Sequence, residues 1–109
     1  MKVITLSKEY LNSLGLAYRA GKLTLGEESI IRDIQKRRAK LVLIASDIGP
    51  NTKSKLTERC NFYNVPFRIV DNRDIISQAI GKSGRVAIAI LDSGFANKIT
   101  SLLDESIRG

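Results

Sequence analysis

One stretch of the chain is apolar at every position: Leu41-Val42-Leu43-Ile44-Ala45. A strand with one face in water alternates apolar and polar residues, whereas a strand covered on both faces is apolar throughout. A second run of this kind occupies residues 86–91. The two runs predict central strands of a sheet that has helices packed against both of its faces.

The segments around these runs alternate between helical and extended patterns. Helices are predicted over residues 7–20, 27–37, 50–63 and 94–107, with a short helix that follows Asp71 and Asn72. Further strands are predicted over residues 23–25 and 66–70, the latter in a less protected position because it contains Pro and Arg. We therefore predict an α/β fold, with residues 1–109 forming one three-layer α/β/α sandwich around a small, mixed four-stranded sheet. The strand order does not follow from the pattern.

Composition argues against several classes of protein. The 109 residues include one Cys and no His, which excludes an internal disulfide framework and makes a zinc site or a Ser-His or Cys-His triad a poor fit. No apolar run approaches the roughly 20 residues of a membrane span, and the N-terminus lacks a signal-peptide core. We expect a cytoplasmic protein without cofactor or membrane partner, with Cys60 as a packed core thiol.

Positive charge is concentrated in the first 40 residues. The chain has 18 Lys and Arg against 11 Asp and Glu, a net charge of +7, and residues 1–40 contribute +5 of it (9 basic and 4 acidic). Seven cations fall within 22 positions: Arg19, Lys22, Arg32, Lys36, Arg37, Arg38 and Lys40. A solvated helix face is the simpler interpretation, but a basic stripe on one side of a small domain favours a nucleic acid as partner.

A first candidate site is Gly81-Lys82-Ser83, which matches the end of a Walker A loop. The full motif requires a Gly where this chain has Ile76, and it lies between a strand and a helix in the opposite order from the one predicted here. A helix-to-strand turn with positive φ at Gly81 and Gly84 is the better interpretation. Lys82 and Arg85 are then free to meet an anion.

A second candidate is the start of the second helix, residues 26–32. A helix N-terminus preceded by Gly26 presents unpaired N–H groups to an anion or to base edges. Ser29, Arg32 and Lys36 are predicted to share the outward face. The alternative is structural, with Glu28 and Arg32 forming an exposed i,i+4 ion pair.

A third candidate is the segment 46–53 after the first apolar strand, where ligands bind in many open α/β sheets. An enzyme that acts on a nucleotide would use Asp47 here as a base or metal ligand. A single carboxylate without a partner is more typical of a helix cap.

The order of several motifs resembles a known family. The motifs are Arg19-Ala20-Gly21-Lys22-Leu23, Gly26, the segment 39–47, Ala79-Ile80-Gly81-Lys82 and Arg85-Val86. Together they resemble the kink-turn RNA-binding family of ribosomal proteins L-seven-Ae and L-thirty-e, most closely its small bacterial YlxQ-type members. The resemblance implies a compact α-β-α sandwich that binds, without catalysis and as a monomer, a sharply bent RNA duplex with tandem sheared G·A pairs. The RNA could be ribosomal and the assembly a ribonucleoprotein.

The family's contacts carry over as expectations. The helix that begins at Gly26 would enter the major groove at the G·A pairs, with Arg32 in the place of the family's lysine, and the 82–86 loop would hold an extruded nucleotide. The RNA-binding residues implied are Lys22, Gly26, Glu28, Ser29, Arg32, Lys36, Asp47, Lys53, Arg73, Lys82, Ser83, Gly84, Arg85 and Val86. The chain departs from many relatives by the carboxylate of Glu28 and by Gly84, which cannot stack on a base. The alternative function is a protein-interaction adaptor of the same fold.

Overall fold

The computed structural model describes the backbone of residues 9–108 and the side chains of residues 9–105. Helices and strands alternate along the chain. In order they are α1 (Glu9–Arg19), β1 (Leu23–Leu25), α2 (Glu27–Gln35), β2 (Leu41–Ala45), α3 (Pro50–Phe62), β3 (Phe67–Val70), α4 (Arg73–Ala79), β4 (Ala87–Ile90) and α5 (Ser93–Arg108). The predicted start of α1 at residue 7 lies outside the described residues, as does the side chain of Ile107.

The two apolar runs form the centre of a four-stranded sheet, as the sequence predicts. The strand order is β1-β4-β2-β3. β4 is antiparallel to both β1 and β2, whereas β2 and β3 are parallel, so the sheet is mixed. Leu43 of β2 lies opposite Ile88 on one side and Arg68 on the other. The prediction that residues 66–70 form a less protected strand is confirmed, because β3 is an edge strand.

The side chains of β2 divide between two apolar clusters. Leu41, Leu43 and Ala45 pack with α1, α4 and α5 on one face, while Val42 and Ile44 pack with α2 and α3 on the other. All five side chains are fully buried. The predicted three-layer sandwich is therefore confirmed.

Cys60 lies in the cluster between α3 and the sheet and is fully buried. Burial raises the pKa of its thiol from 9.0 to about 11. The expectation of a packed core thiol is confirmed.

Two helices begin at residues that favour a helix start. Pro50 occupies the first turn of α3 after Gly49, where its missing N–H is not needed. Asn72 caps α4, since its Oδ1 accepts from the N–H of Ile75 at 3.0 Å. Asp71, the residue before this cap, accepts a hydrogen bond from the Tyr10 hydroxyl at 2.7 Å. Burial and this contact raise the pKa of Tyr10.

Three predicted boundaries need correction. β4 covers residues 87–90 and not 86–91, and Val86 and Leu91, which flank it, are half-buried. α2 ends at Gln35, since Arg37 has a φ of 60° and cannot continue a helix. α3 ends at Phe62, one residue before the end of the predicted helix 50–63, and Tyr63 is its half-buried C-cap residue. Within residues 9–108, no helix combines the length and the hydropathy needed to cross a bilayer.

Candidate nucleic-acid interface

A cleft of about 180 Å³ opens at the end of the sheet where β4 begins. It lies between the first residues of α2 and α3 and the loop that precedes β4. Its lining consists of Gly26, Glu27, Thr52, Leu56, Gly84, Arg85, Val86 and Ala87. The fold thus brings together two segments that the sequence singled out separately, the helix start at Gly26 and the 82–86 loop.

Gly26 turns the chain from β1 into α2. Its φ of 94° and ψ of 132° lie in a region that residues with a side chain rarely adopt, and an added Cβ would meet no atom within 4 Å. Glycine is therefore needed here for the backbone conformation and not for lack of space. Because no side chain of the N-cap residue covers the helix end, the first-turn N–H groups of α2 are left for solvent or a ligand.

An ion pair joins α2 to α3 beside this helix start. The Oε2 of Glu27 lies 2.8 Å from the Nζ of Lys55. The alternative interpretation of this segment, an ion pair between Glu28 and Arg32, is wrong: within the described residues neither side chain has an ion-pair partner, and both are exposed. Arg32 thus remains available to an anion.

Ser77 of α4 holds the loop before β4 at both of its ends. Its backbone carbonyl accepts from the N–H of Lys82 at 2.9 Å, and its buried hydroxyl accepts from the N–H of Arg85 at 2.8 Å. A glycine with a positive φ angle directly precedes each of these two points: Gly81 before Lys82, with a φ of 71°, and Gly84 before Arg85, with a φ of 68°. The predicted helix-to-strand turn is confirmed.

Arg85 lines the cleft, and its side chain contains an unsatisfied donor. Its Nε is buried and meets no hydrogen-bond acceptor in the part of the chain that the structure describes. A buried donor left unpaired costs about 1–3 kcal/mol, so native structures rarely retain one without a reason. An acceptor oxygen that entered the cleft within reach of this group would remove that cost. The neighbouring Lys82 places its Nζ 5.7 Å from the centre of the Tyr18 ring, within range of a cation–π interaction.

Asp47 and Arg73 bind one another next to the cleft end of the sheet. Asp47 accepts from the backbone N–H of Arg73 at 2.9 Å and from its Nε at 3.2 Å, while the carbonyl of Asp47 accepts from Nη2 at 2.7 Å. Desolvation acts to raise the pKa of Asp47, but the hydrogen bonds from Arg73 outweigh it and lower that pKa. Asp47 therefore stabilises the start of α4. It is not the cap of α3, the next helix in the chain, because the N-cap residue of α3 is Gly49.

The match to a family model covers residues 8–100. The chain belongs to the ribosomal protein L7Ae/L30e/S12e/Gadd45 family. It is 48% identical to "RNA-binding protein YlxQ" of Bacillus subtilis over 96 residues, which are 88% of this chain and 96% of that protein. The Enterococcus faecium protein of the same name is 43% identical over 86% of this chain and 90% of its own.

Two solved structures share the fold of this chain. A Bacillus halodurans protein described as having unknown function superposes with a TM-score of 0.86 at 42% identity, covering 88% of this chain and 97% of its own. A Giardia lamblia 15.5kD RNA binding protein superposes with a TM-score of 0.79, covering 95% of this chain and 89% of its own. Its 20% identity supports the shared fold alone.

The remaining residues suggested by the family resemblance differ in their exposure and in their distance from the cleft. Lys22, Lys53 and Ser83 are exposed, and Ser29 is half-buried. Lys36 is the C-cap residue of α2, at the far end of a nine-residue helix about 14 Å long. Lys36 is exposed like Arg32, but it lies at the opposite end of α2 from Gly26.

Sequence reasoning missed three residues of this region: Lys55, Leu56 as a cleft residue, and Ser77. Thr52 belongs to the segment 46–53 that the sequence singled out. Ser77 left one signal, since it lies in a helix beside Ile76 and a buried hydroxyl there needs a partner. Lys55 left none, because its role depends on how α3 packs beside α2. Within residues 9–105, no three His, Cys, Asp or Glu side chains come together as a metal site would require.

Proposed function

We propose that the protein is a non-catalytic, monomeric RNA-binding protein of the bacterial cytoplasm that recognises a kink-turn or a similarly bent RNA, with ribosomal RNA as one candidate. The observation that carries this proposal is the cleft that joins the start of α2 to the loop before β4. Its unsatisfied Arg85 Nε supports an anionic or carbonyl-bearing occupant. Two relatives that match most of the chain are named as RNA-binding proteins.

The start of α2 would contact the bent part of the duplex. Base edges in regular RNA helices lie in a deep, narrow major groove that side chains cannot reach, and a kinked internal loop opens that groove. The exposed first turn of α2 offers N–H groups and the positive end of a helix dipole. Lys22, Arg32 and Lys53 would neutralise phosphates on either side of it.

Glu28 would give the contact its base preference. An exposed carboxylate repels phosphate, but it can accept a hydrogen bond from the amino group of cytosine or adenine. Gly84 would leave an extruded nucleotide without a stacking partner in the loop, so hydrogen bonds to Arg85 and to the loop backbone would hold it. Both features predict that this protein prefers a different RNA loop sequence from relatives that have other residues at these two positions.

The decisive experiment is a titration against a kink-turn duplex over a series of salt concentrations, with a duplex whose G·A pairs are disrupted as the control. Tight binding that is lost in the control supports the proposal. Equal binding to both RNAs would mean that the charge attracts phosphate without recognising the bend. Absence of binding to either RNA would favour the adaptor alternative, whose partner complex should persist in high salt.

Arg32→Ala sharpens this titration. Loss of one phosphate contact should weaken kink-turn binding and lower the slope of log affinity against log salt by about one. Lys98→Ala, which removes an exposed charge from α5, is the matched control and should change neither quantity. An unchanged slope for folded Arg32→Ala would contradict the place given to Arg32.

A further inference from the structure

Cations and aromatic rings share the surface at the other end of the sheet, where α2 and α3 finish. We call this surface the basic–aromatic end and define it by Lys36, Arg37, Arg38, Lys40, Phe62 and Tyr63. Phe62 is 76% exposed, more than Leu16 or Ile69, the other exposed large apolar residues of the described chain. The four cations are exposed as well.

The aromatic pair is held in place by Arg37. The rings of Phe62 and Tyr63 meet edge to face, with centroids 4.9 Å apart and an angle of 75° between their planes. The guanidinium carbon of Arg37 lies 5.7 Å from the centre of the Tyr63 ring, and its Nη1 donates to the Tyr63 carbonyl at 3.2 Å. The end of α2 is thereby tied to the end of α3, and Phe62 projects from a braced position.

Arg37 makes these contacts from a backbone conformation that favours glycine. Its N–H donates to the carbonyl of Ile34 and the next N–H donates to Asp33, which is the hydrogen-bond pattern of a Schellman helix end. The residue at this position has a φ of 60° and is usually Gly, because a side chain is strained there. An arginine here suggests that its side chain contributes something that glycine would lack.

The charge of this end is largely uncompensated. Of the four cations, Arg38 has an ion-pair partner among the described residues, Asp33, at 3.6 Å. The other nearby carboxylate on these two helices is that of Glu58, exposed one turn before Phe62. Cations complement the negative end of a helix dipole, which explains why some are present. The dipole does not explain an exposed phenyl ring among them.

A shallow cleft of about 240 Å³ lies beside Tyr63, the residue that follows Phe62. Arg37, Lys40 and Tyr63 line it, together with the turn from Asn64 to Pro66. A stacking ring, a cleft and adjacent cations are the elements with which proteins bind single-stranded nucleic acid. The bases stack on the ring while the cations follow the phosphates.

We propose that the basic–aromatic end binds an unpaired segment of RNA, with one base stacked on Phe62 and adjacent phosphates on Arg37 and Lys40. This proposal rests on the proposed function only in taking RNA as the partner. The site is distinct from the cleft at Gly26, because the 13 residues of α3 separate Pro50 from Phe62 by about 18 Å. One RNA could therefore engage both ends, its bent duplex at one and an unpaired flank at the other.

The test measures fluorescence anisotropy of a labelled ten-nucleotide RNA without self-complementarity, separately from the kink-turn duplex. Phe62→Ala should weaken binding of the oligonucleotide about 5- to 100-fold, the range for loss of one stacked base. Ile69→Ala, which removes an exposed apolar side chain from edge strand β3, is the matched control and should leave this affinity unchanged. Neither variant should alter the affinity for the kink-turn duplex.

Arg37→Gly provides a second variant that is expected to fold, because glycine suits a φ of 60°. It should weaken oligonucleotide binding several-fold while its thermal unfolding stays close to that of the wild type; Lys98→Ala is the control for loss of one charge. The proposal is overturned if the wild type does not bind the oligonucleotide, or if Phe62→Ala binds it as tightly as Ile69→Ala. Oligonucleotide binding that depends on Phe62, without kink-turn binding, would support this proposal and contradict the proposed function.

Discussion

The chain adopts positive φ angles at both ends of the sheet, but the residue types that adopt them differ. At the cleft end, positive φ angles belong to Gly26, Gly81 and Gly84. At the opposite end they belong to Arg37 and Asn64 of the basic–aromatic end and to Gly21, which precedes β1. Glycine adopts these angles without strain, whereas a residue with a Cβ is strained by about 1–2 kcal/mol, with Asn more tolerant than Arg. The cleft end therefore has an unstrained backbone, and the opposite end retains a side chain despite the strain.

The ends also differ in how their charges are arranged. Ion pairs at the cleft end join separate elements, Glu27 with Lys55 and Asp47 with Arg73. At the basic–aromatic end, Arg37 donates to a backbone carbonyl and Phe62 remains in water. The contrast suggests that the first end is a cleft of fixed shape, while the second is a platform whose charges stay available to a partner.

The largest effect on the cleft end is expected from Ser77→Ala. Removal of the hydroxyl leaves the N–H of Arg85 without the acceptor that it has at 2.8 Å. Because Ser77 is buried, this should lower the free energy of unfolding by about 2 kcal/mol, measured by chemical denaturation. The released loop should also weaken kink-turn binding, with oligonucleotide binding at the opposite end unchanged. Equal losses at both ends would mean that the two sites are not independent.

Gly26→Ala should have the next largest effect. The added methyl group meets no atom, so the whole penalty comes from the backbone and should be about 1–2 kcal/mol of unfolding free energy. If α2 instead shifts its first turn to relieve the strain, the loss appears as weaker kink-turn binding. Arg37→Gly is the reverse substitution, since it introduces a glycine at a position with a positive φ angle. A stability change of the same sign and size in both variants would contradict the contrast drawn between the ends.

The central part of the fold was predictable because it depends on local pattern. The run Leu41-Val42-Leu43-Ile44-Ala45 shows by composition that both faces of its strand are covered, and the structure confirms it. Strand order was not predictable. The two-residue period of a strand determines which face of the sheet each side chain occupies, but it does not determine which strand is the neighbour. The helix start at Gly26 and the glycine turn before β4 were likewise found from local signals.

Contacts that join distant segments left no comparable signal. Asp47 and Arg73 are 26 positions apart, and so are Arg37 and Tyr63. Each pairing depends on how parallel neighbours β2 and β3, or helices α2 and α3, are placed side by side. Phe62 shows a further limit: the sequence analysis did not single it out, because the Tyr63 ring beside it and the Arg37 guanidinium next to that ring are brought together by the fold.

The smallest effect expected is a pH dependence confined to the cleft end. The folded protein lowers the pKa of Asp47, so this carboxylate contributes stability above its unfolded pKa of about 3.9 and loses that contribution as pH falls through the folded value. Asp47→Asn should therefore unfold at a lower temperature than the wild type at pH 7, and the difference should shrink below about pH 4. Salt should reduce it as well, because the pair is exposed.

Arg37→Gly gives the matching measurement at the other end. The backbone carbonyl of Tyr63 that accepts from Arg37 does not titrate, so this variant should unfold close to the wild type at every pH from 7 to 3. A difference that changes in acid would mean that a carboxylate such as Asp33 or Glu58 supports the basic–aromatic end. A constant difference for Asp47→Asn would mean that Arg73 holds α4 through the backbone carbonyl of Asp47 and not through its carboxylate.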